Sequence, residues 1–319
     1  MEIQEILNQV QNDIQSFKQS NQDWIIIIRW ATATWKSRLS ILLWEFFDIE
    51  IISADSRQIF KYMDIWTDKV PSSILKQIPH HQINIVNPDQ TYTAWQWKET
   101  TQKIIPQILN QNKTPIIVWW TWLYIDTIYK NFSMPSCPPD YKLREKLEQK
   151  EIQTPWILHQ ELTQIDPQEA NKLHPNSIRF IIRALEIFYK TGKTKTESYI
   201  KNSPTQPILM IWLRRDKEDT NNRIDIRIQE MIQCWLIDEV KWLLKKWYWP
   251  QLQSMQWIWY KETIQYINWN LDLQELQETL KKNTHHLAKK QRTRFRRYIQ
   301  ESKINTKENI TYKLYNLTN

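Results

Sequence analysis

Glycine is almost missing from this chain. Its 319 residues include one Gly, Gly192, and 19 Trp, where a usual share of about 7% would supply roughly 22 glycines. Tight turns and close backbone approaches rely on a residue without a Cβ, so a globular chain written in these letters lacks its normal means of turning. Trp30, Trp35, Trp119, Trp120 and Trp122 stand at just such turns. The inversion is what results when a codon that the cell reads as glycine is translated as tryptophan, and the expectation is that most of these positions carry Gly in the natural protein. Cysteine is scarce as well. Only Cys137 and Cys234 occur, which excludes a disulfide framework and fits a reducing, cytoplasmic compartment. Long apolar runs are absent: the longest aliphatic run, 25–28, falls far short of the ~20 residues a membrane span needs. Residues 1–20 are polar and of mixed charge, unlike a signal peptide. No membrane partner is expected.

What is present is an ordinary globular balance, 41% hydrophobic and 24% charged, with a formal net charge of +8. The excess is local. Between Lys281 and Arg297 there are eight Lys or Arg and no acidic residue, an electrostatic footprint for a polyanion. On a helix, Leu287, Gln291, Phe295 and Ile299 recur every four residues and are expected to pack on the core. Lys290, Arg294 and Arg297 then lie on another face and are candidates for phosphate contacts. A solvated charged face is the competing reading.

Alternation of short aliphatic runs with helical spacing implies a parallel sheet that binds ligands at the carboxyl ends of its strands. Residues 25–28, 49–54, 115–118 and 208–213 read as strands, and 37–47 reads as a helix. The proline-rich stretch 131–139 marks a boundary, followed by helical patterns at 141–149, 157–165 and 178–189. Two long helices are expected at 219–244 and 271–297. The polar segment 304–319 reads as a weakly ordered tail.

Three turns carry the chemistry. With glycine restored at positions 30 and 35, Trp30-Ala31-Thr32-Ala33-Thr34-Trp35-Lys36-Ser37 becomes a G-x-x-x-x-G-K-S loop between strand and helix. There backbone N–H groups converge on phosphate oxygens, Lys36 reaches the phosphates and Ser37 can ligate Mg²⁺. Asp55-Ser56-Arg57-Gln58 follows the second strand; Asp55 is either a base or water-mediated Mg²⁺ ligand, or a helix cap. The third turn, 118–124, becomes V-G-G-T-G-L-Y, a bare backbone with the Thr121 hydroxyl exposed in it. Arg223 and Arg227 either bind a diphosphate or pair with Asp219, Asp225 or Glu230. No His/Cys spacing suggests zinc.

The ordered motifs resemble one family. The first loop is similar to GPTATGKS, residues 51–60 (IISADSRQIF) with 63–67 (MDIWT) to ISADSRQ-(V/I)-Y followed by MDIGT, 118–124 to VGGTGLY, and 255–262 to MQGIGYKE; the His80-His81 pair, 173–176 (LHPN), 183–186 (RALE) and 288–296 (AKKQRTRFR) complete the set. Over about residues 24–298 the chain resembles tRNA dimethylallyltransferases. Ala31 and Phe60 are mild departures, whereas the family's glycines written as Trp at 30, 35, 66, 95, 119, 120, 122, 235, 257 and 259 are the serious one. Trp97 is read as a genuine tryptophan, and Trp24, Trp156 and Trp242 are undecided.

The resemblance implies an α/β fold, a P-loop NTPase-like parallel sheet core flanked by helices, with a small all-helical insertion domain. Its boundaries are expected at 1–132 and 204–303 for the core, 133–203 for the insertion and 304–319 for the tail. The implied reaction is transfer of a dimethylallyl group from dimethylallyl diphosphate to N6 of adenosine 37, 3′ of the tRNA anticodon. It assigns the diphosphate to residues 30–37, with Lys36 catalytic and Ser37 on Mg²⁺, makes Asp55 the base, and gives Thr121 the task of positioning adenine. Contacts to tRNA are implied for Asp55, Ser56, Arg57, Gln58 and Thr121, and for Arg179, Phe180, Ile181, Ile182 and Arg183. Lys290 and Arg294 join them on charge, and the protein is expected to act as a monomer. A P-loop kinase of small molecules, an adenylate prenyltransferase and an inactive tRNA-binding protein are the rival readings.

Overall fold

Short runs of isoleucine are suited to a strand buried on both faces, which is the environment of a parallel sheet covered by helices. In the computed structural model, which describes residues 3–29, 36–118, 121–131, 137–199, 202–304 and 310–317, these runs form such a sheet. Its strands are β1 (Ile25–Arg29), β2 (Ile49–Ser53), β3 (His80–His81), β4 (Thr114–Val118), β5 (Ile208–Arg215) and β6 (Ile310–Leu317), in the order β3-β2-β4-β1-β5-β6. All pairings are parallel. Every residue of β1 and β2 is buried.

The chain divides into two compact units, Met1–Ile125 with Pro204–Asn319, and Asp126–Ser203. The sheet belongs to the first, with α1 (Ile3–Ser20), α2 (Lys36–Trp44), α3 (Ser72–Gln77) and α4 (Ala94–Leu109); α5 (Trp122–Tyr129) carries the chain onward. The second is all-helical: α6 (Tyr141–Gln153), α7 (Ile157–Ile165), α8 (Pro167–Ala170), α9 (Ile178–Thr191) and α10 (Lys195–Ser198). The chain then returns through β5 to α11 (Lys217–Gln233), α12 (Leu236–Lys245), α13 (Tyr260–Ile267) and α14 (Leu273–Ile304). Among the described residues no helix is long and apolar enough to cross a membrane.

The helices follow local chemistry. In α1, Ile6, Leu7, Val10, Ile14 and Phe17 make one buried stripe. The Thr93 side chain accepts from Gln96 N–H while the Gln96 side chain returns to the Thr93 N–H, a capping box that starts α4. Gly192 ends α9 with φ 70°, the left-handed conformation in which glycine costs least.

Three sequence expectations change. Within the segment 304–319, residues 310–317 are not a loose tail, because Ile310–Leu317 pairs along the whole of β5, from Ile208↔Ile310 to Arg215↔Leu317. Polar residues conceal the strand because it is the sheet's edge: Ile310, Tyr315 and Leu317 are buried while Thr311, Leu314 and Asn316 are exposed. Tyr315 and Lys313 also reach Asp13 on α1, the lysine at 2.6 Å. The long helix expected over 219–244 breaks between α11 and α12, where Trp235 takes φ 73°. In α14 the buried stripe is Leu276, Leu280, Thr284, Ala288 and Gln291, so Gln291 is covered as expected, whereas Leu287, beside that stripe, is only half-buried. Phe295 and Ile299 have side chains outside the described set.

Candidate active site

Parallel pairing brings the carboxyl ends of β1, β2 and β4 to one edge. Ile28 and Ser53 are both in register with Val118, so the carboxyl ends of the three strands lie level. The Ala54 N–H donates to Val118 O at 3.0 Å, and the Thr121 N–H donates to Ala54 O at 3.1 Å. Side chains complete the joint: Ser56 N–H donates to Thr121 Oγ1 at 2.9 Å, and the two hydroxyls are 3.0 Å apart. Asp55 and Thr121, 66 positions apart in sequence, thereby belong to a single rigid turn pair.

Asp55 is buried, and its Oδ1 accepts the Arg57 N–H at 2.8 Å. Residues 56–59 are a turn, so the carboxylate fixes a turn, and the helix-cap reading does not hold. Gln58 ties this turn to the next loop, accepting from the Ser53 hydroxyl at 2.9 Å and donating to Thr67 O at 3.1 Å and Asp68 O at 3.2 Å. Asp55, Arg57, Trp66, Thr67, Asp68, Ile224, Arg227, Trp259, Thr284 and Leu287 line a small cavity of about 40 Å³. Arg57 lies between two indoles, 4.8 Å from the Trp66 ring centre and 4.2 Å from that of Trp257. Burial lowers its pKa to about 10 against the pull of Asp55, so it remains cationic at neutral pH. Its Nε and Nη1 have no hydrogen-bond partner among the described residues.

Both arginines on α11 are in ion pairs, Arg223 with an acid the sequence suggests and Arg227 with one it does not. Arg223 Nε lies 3.1 Å from Asp219, and Arg227 lies 3.2 Å from Asp68 at the cavity wall. A diphosphate role for Arg227 therefore requires exchange of that carboxylate.

Buried groups that carry no local sequence signal hold the 63–68 loop in place. Glu239 accepts from the N–H groups of Asp64 at 2.8 Å and Ile65 at 2.9 Å, and from the Tyr260 hydroxyl at 2.6 Å. Burial raises its pKa despite these bonds. Lys69 donates to Asp64 Oδ1 and Asn84 Oδ1, each at 2.6 Å, and burial lowers its pKa. Behind β2, Trp97 is fully buried, donates Nε1–H to Ser53 O at 2.9 Å and stacks on Tyr124 with ring centres 4.9 Å apart. Trp97→Phe removes that donor next to the Asp55 turn; a loss of about 2 kcal/mol is expected in chemical denaturation.

The remaining expected residues divide. Trp30, Ala31, Thr32, Ala33, Thr34 and Trp35 lie outside the described residues, as do Trp119 and Trp120. Lys36 and Ser37 open α2 immediately after that stretch. In the helical unit, Ile181 and Ile182 are buried with Leu147, Leu158, Leu162 and Leu185, which corrects their reading as nucleic-acid contacts. They occupy the apolar face of α9. Arg183 is drawn to Glu186 and donates to Cys137 O at 2.8 Å, leaving Arg179 and Phe180 as the exposed residues of that stretch. Lys290 and Arg294 are exposed on α14. Among the described residues no group of three His, Cys, Asp or Glu could hold a metal.

A six-stranded parallel sheet with a helix opening after its central strand, an acidic turn beside it and an all-helical insertion defines a P-loop NTPase-like α/β protein. Comparison with known proteins gives the family. The model of the IPP transferase family matches residues 58–298. The tRNA dimethylallyltransferase of Pelotomaculum thermopropionicum is 41% identical over 276 residues, 86% of this chain and 88% of that protein. That of Thermotoga maritima is 36% identical over 274 residues, 86% of this chain and 90% of the relative. Among solved structures, the tRNA isopentenylpyrophosphate transferase of Bacillus halodurans superposes with a TM-score of 0.63 at 31% identity, covering 92% of this chain and 90% of the other. A eukaryotic dimethylallyltransferase acting on tRNA gives 0.72 at 30% identity, covering 84% and 68%. The chain belongs to the tRNA dimethylallyltransferase family.

Proposed function

We propose that this protein transfers a dimethylallyl group from dimethylallyl diphosphate to N6 of adenosine 37 in tRNA. The bond from the allylic carbon to the diphosphate oxygen breaks, the bond from that carbon to N6 forms, and the displaced N6 proton passes to the Asp55 carboxylate. The observation that carries this reading is the joint between the Asp55 turn and Thr121, closed by the 2.9 Å bond from Ser56 N–H to the Thr121 hydroxyl. It supports the reading by holding a carboxylate and a hydroxyl close together at the edge where a parallel sheet binds its ligand. The 30–37 motif supplies the diphosphate cradle, with Lys36 countering the negative charge that grows on the leaving group.

Mg²⁺ fits this arrangement, because it is held largely by substrate phosphates and water and needs no cluster of protein carboxylates. Ser37 would hold it, and it would add positive charge beside the departing diphosphate. Incubation with labelled dimethylallyl diphosphate and tRNA, set against ATP with small acceptors, tests the assignment. Prenylated tRNA is expected, whereas ATP turnover without it would favour a kinase and prenylation of free adenylate the nucleotide-directed alternative. The protein is proposed to act as a monomer, which sedimentation in the presence of tRNA checks.

The exposed cations of α14 are assigned to the tRNA backbone. Lys290→Ala and Arg294→Ala are each expected to weaken binding of every tRNA substrate alike. Each should reduce the slope of log affinity against log salt by about 1, measured by titration at several salt concentrations.

A further inference from the structure

Two helix ends reveal which residue the backbone calls for. At the end of α12 the Tyr248 N–H donates to Leu243 O and the Trp247 N–H to Leu244 O, both at 3.1 Å. At the end of α13 the Asn270 N–H donates to Gln265 O at 2.9 Å and the Trp269 N–H to Tyr266 O at 3.0 Å. This paired closure satisfies the last carbonyls of a helix only if the residue in between adopts left-handed backbone angles, and that residue is usually glycine, sometimes asparagine. Trp247 has φ 65° and Trp269 φ 61°. The same pairing after α4 is closed by Asn112 at φ 58°, with Asn112 N–H on Leu109 O and Lys113 N–H on Ile108 O. The chain's single glycine, Gly192, ends α9 in the same region. Gly and Asn thus occupy two such ends and Trp the other two.

The pattern extends beyond helix ends. Of the twelve non-glycine residues with positive φ among the described residues, five are Asp or Asn and five are Trp: 156, 235, 247, 259 and 269. Asp and Asn have a physical reason to be there, since a short polar side chain bonds locally. Trp has none. Little is buried at the surface to compensate: Trp269 is 94% exposed and Trp235 70%, and Trp247, 72% exposed, meets only Trp249 edge-on at 5.3 Å among the described aromatic contacts. Trp24 and Trp97 have ordinary backbone angles and are buried, one edge-on to Phe17 at 5.4 Å and the other hydrogen-bonded to Ser53 O.

We propose that glycine occupies positions 156, 235, 247, 259 and 269 in the protein its own cell makes, that positions 24 and 97 are true tryptophans, and that glycine at 259 opens the cavity beside Asp55. The backbone selects these positions independently of any sequence motif. At 259 the consequence is functional. The indoles of Trp66 and Trp259 sit 6.1 Å apart in the cavity wall, leaving about 40 Å³, room for a few waters. The choice of positions rests on backbone angles and not on the transfer reaction, so the two can fail separately.

Peptide mass spectrometry of the protein isolated from its source cells decides the matter. Glycine masses are expected at the five positions and tryptophan masses at 24 and 97; a tryptophan mass at 247 or 269 overturns the proposal. A second test uses the literal chain made in a host with the standard code. Trp247→Gly and Trp269→Gly are each expected to raise the melting temperature by about 2 °C, and Trp97→Gly to lower it by more than that. An unchanged or lower melting temperature for either of the first two would remove the backbone argument.

Discussion

Asp55→Asn is expected to reduce kcat by on the order of 10³-fold, the scale of a lost general base. Binding of tRNA should change by no more than about twofold, because the lost interaction belongs to the transition state. Asparagine is the informative replacement. Its side-chain oxygen still accepts the Arg57 N–H that Asp55 Oδ1 receives at 2.8 Å, so the turn, and with it the link from Ser56 to Thr121, is retained. Only the capacity to take a proton disappears. Single-turnover kinetics with saturating tRNA and diphosphate donor, alongside a tRNA titration, separate the two effects. If kcat survives and affinity collapses, Asp55 is a turn residue and the base lies elsewhere.

Glu186→Ala is expected to destabilise the helical unit by about 3 kcal/mol, the scale for removing one partner of a buried ion pair. Glu186 is wholly buried and accepts two bonds from Arg144, Nε and Nη2 each at 2.8 Å, another from the Asp140 N–H at 2.7 Å, and a short one from Arg183. Burial alone would raise its pKa; those bonds outweigh it and hold the pKa below the usual carboxylate value. The sign follows. A depressed folded pKa contributes stability that is present above the unfolded value of about 4.3 and is lost as pH falls through the lower folded value. Amide exchange across residues 126–203, followed from neutral pH into that acid window, should show progressive loss of protection. Glu186→Gln should flatten the dependence there, and a slope identical to that of the parent chain would assign the acid response to other carboxylates.

The core was legible because its signals are local. Isoleucine runs at 25–28 and 115–118 announce doubly buried strands, and three turns placed after such runs must share an edge once the sheet is parallel. The groups that hold those turns were not legible. Glu239 bonds Asp64 N–H across 175 positions, and nothing near residue 239 indicates that its carboxylate serves a distant loop. The covered face of α14 was legible only in part. Gln291 is buried as its spacing suggests, but the burial of Leu276, Leu280, Thr284 and Ala288 depends on the helices packed against them. Ile181 and Ile182 likewise sit beside basic residues in sequence while packing in an apolar core.

The edge position of β6 bears on how the protein matures during translation. Residues 208–213 of β5 are fully buried in the finished sheet, and β6 covers one entire side of that strand. A ribosome that stalls before codon 310 releases a polypeptide whose oiliest outer strand has bare amide and carbonyl groups, an invitation to amyloid-like stacking. Truncated products should therefore be clients of chaperones and proteases even when every residue around Asp55 has already been synthesised.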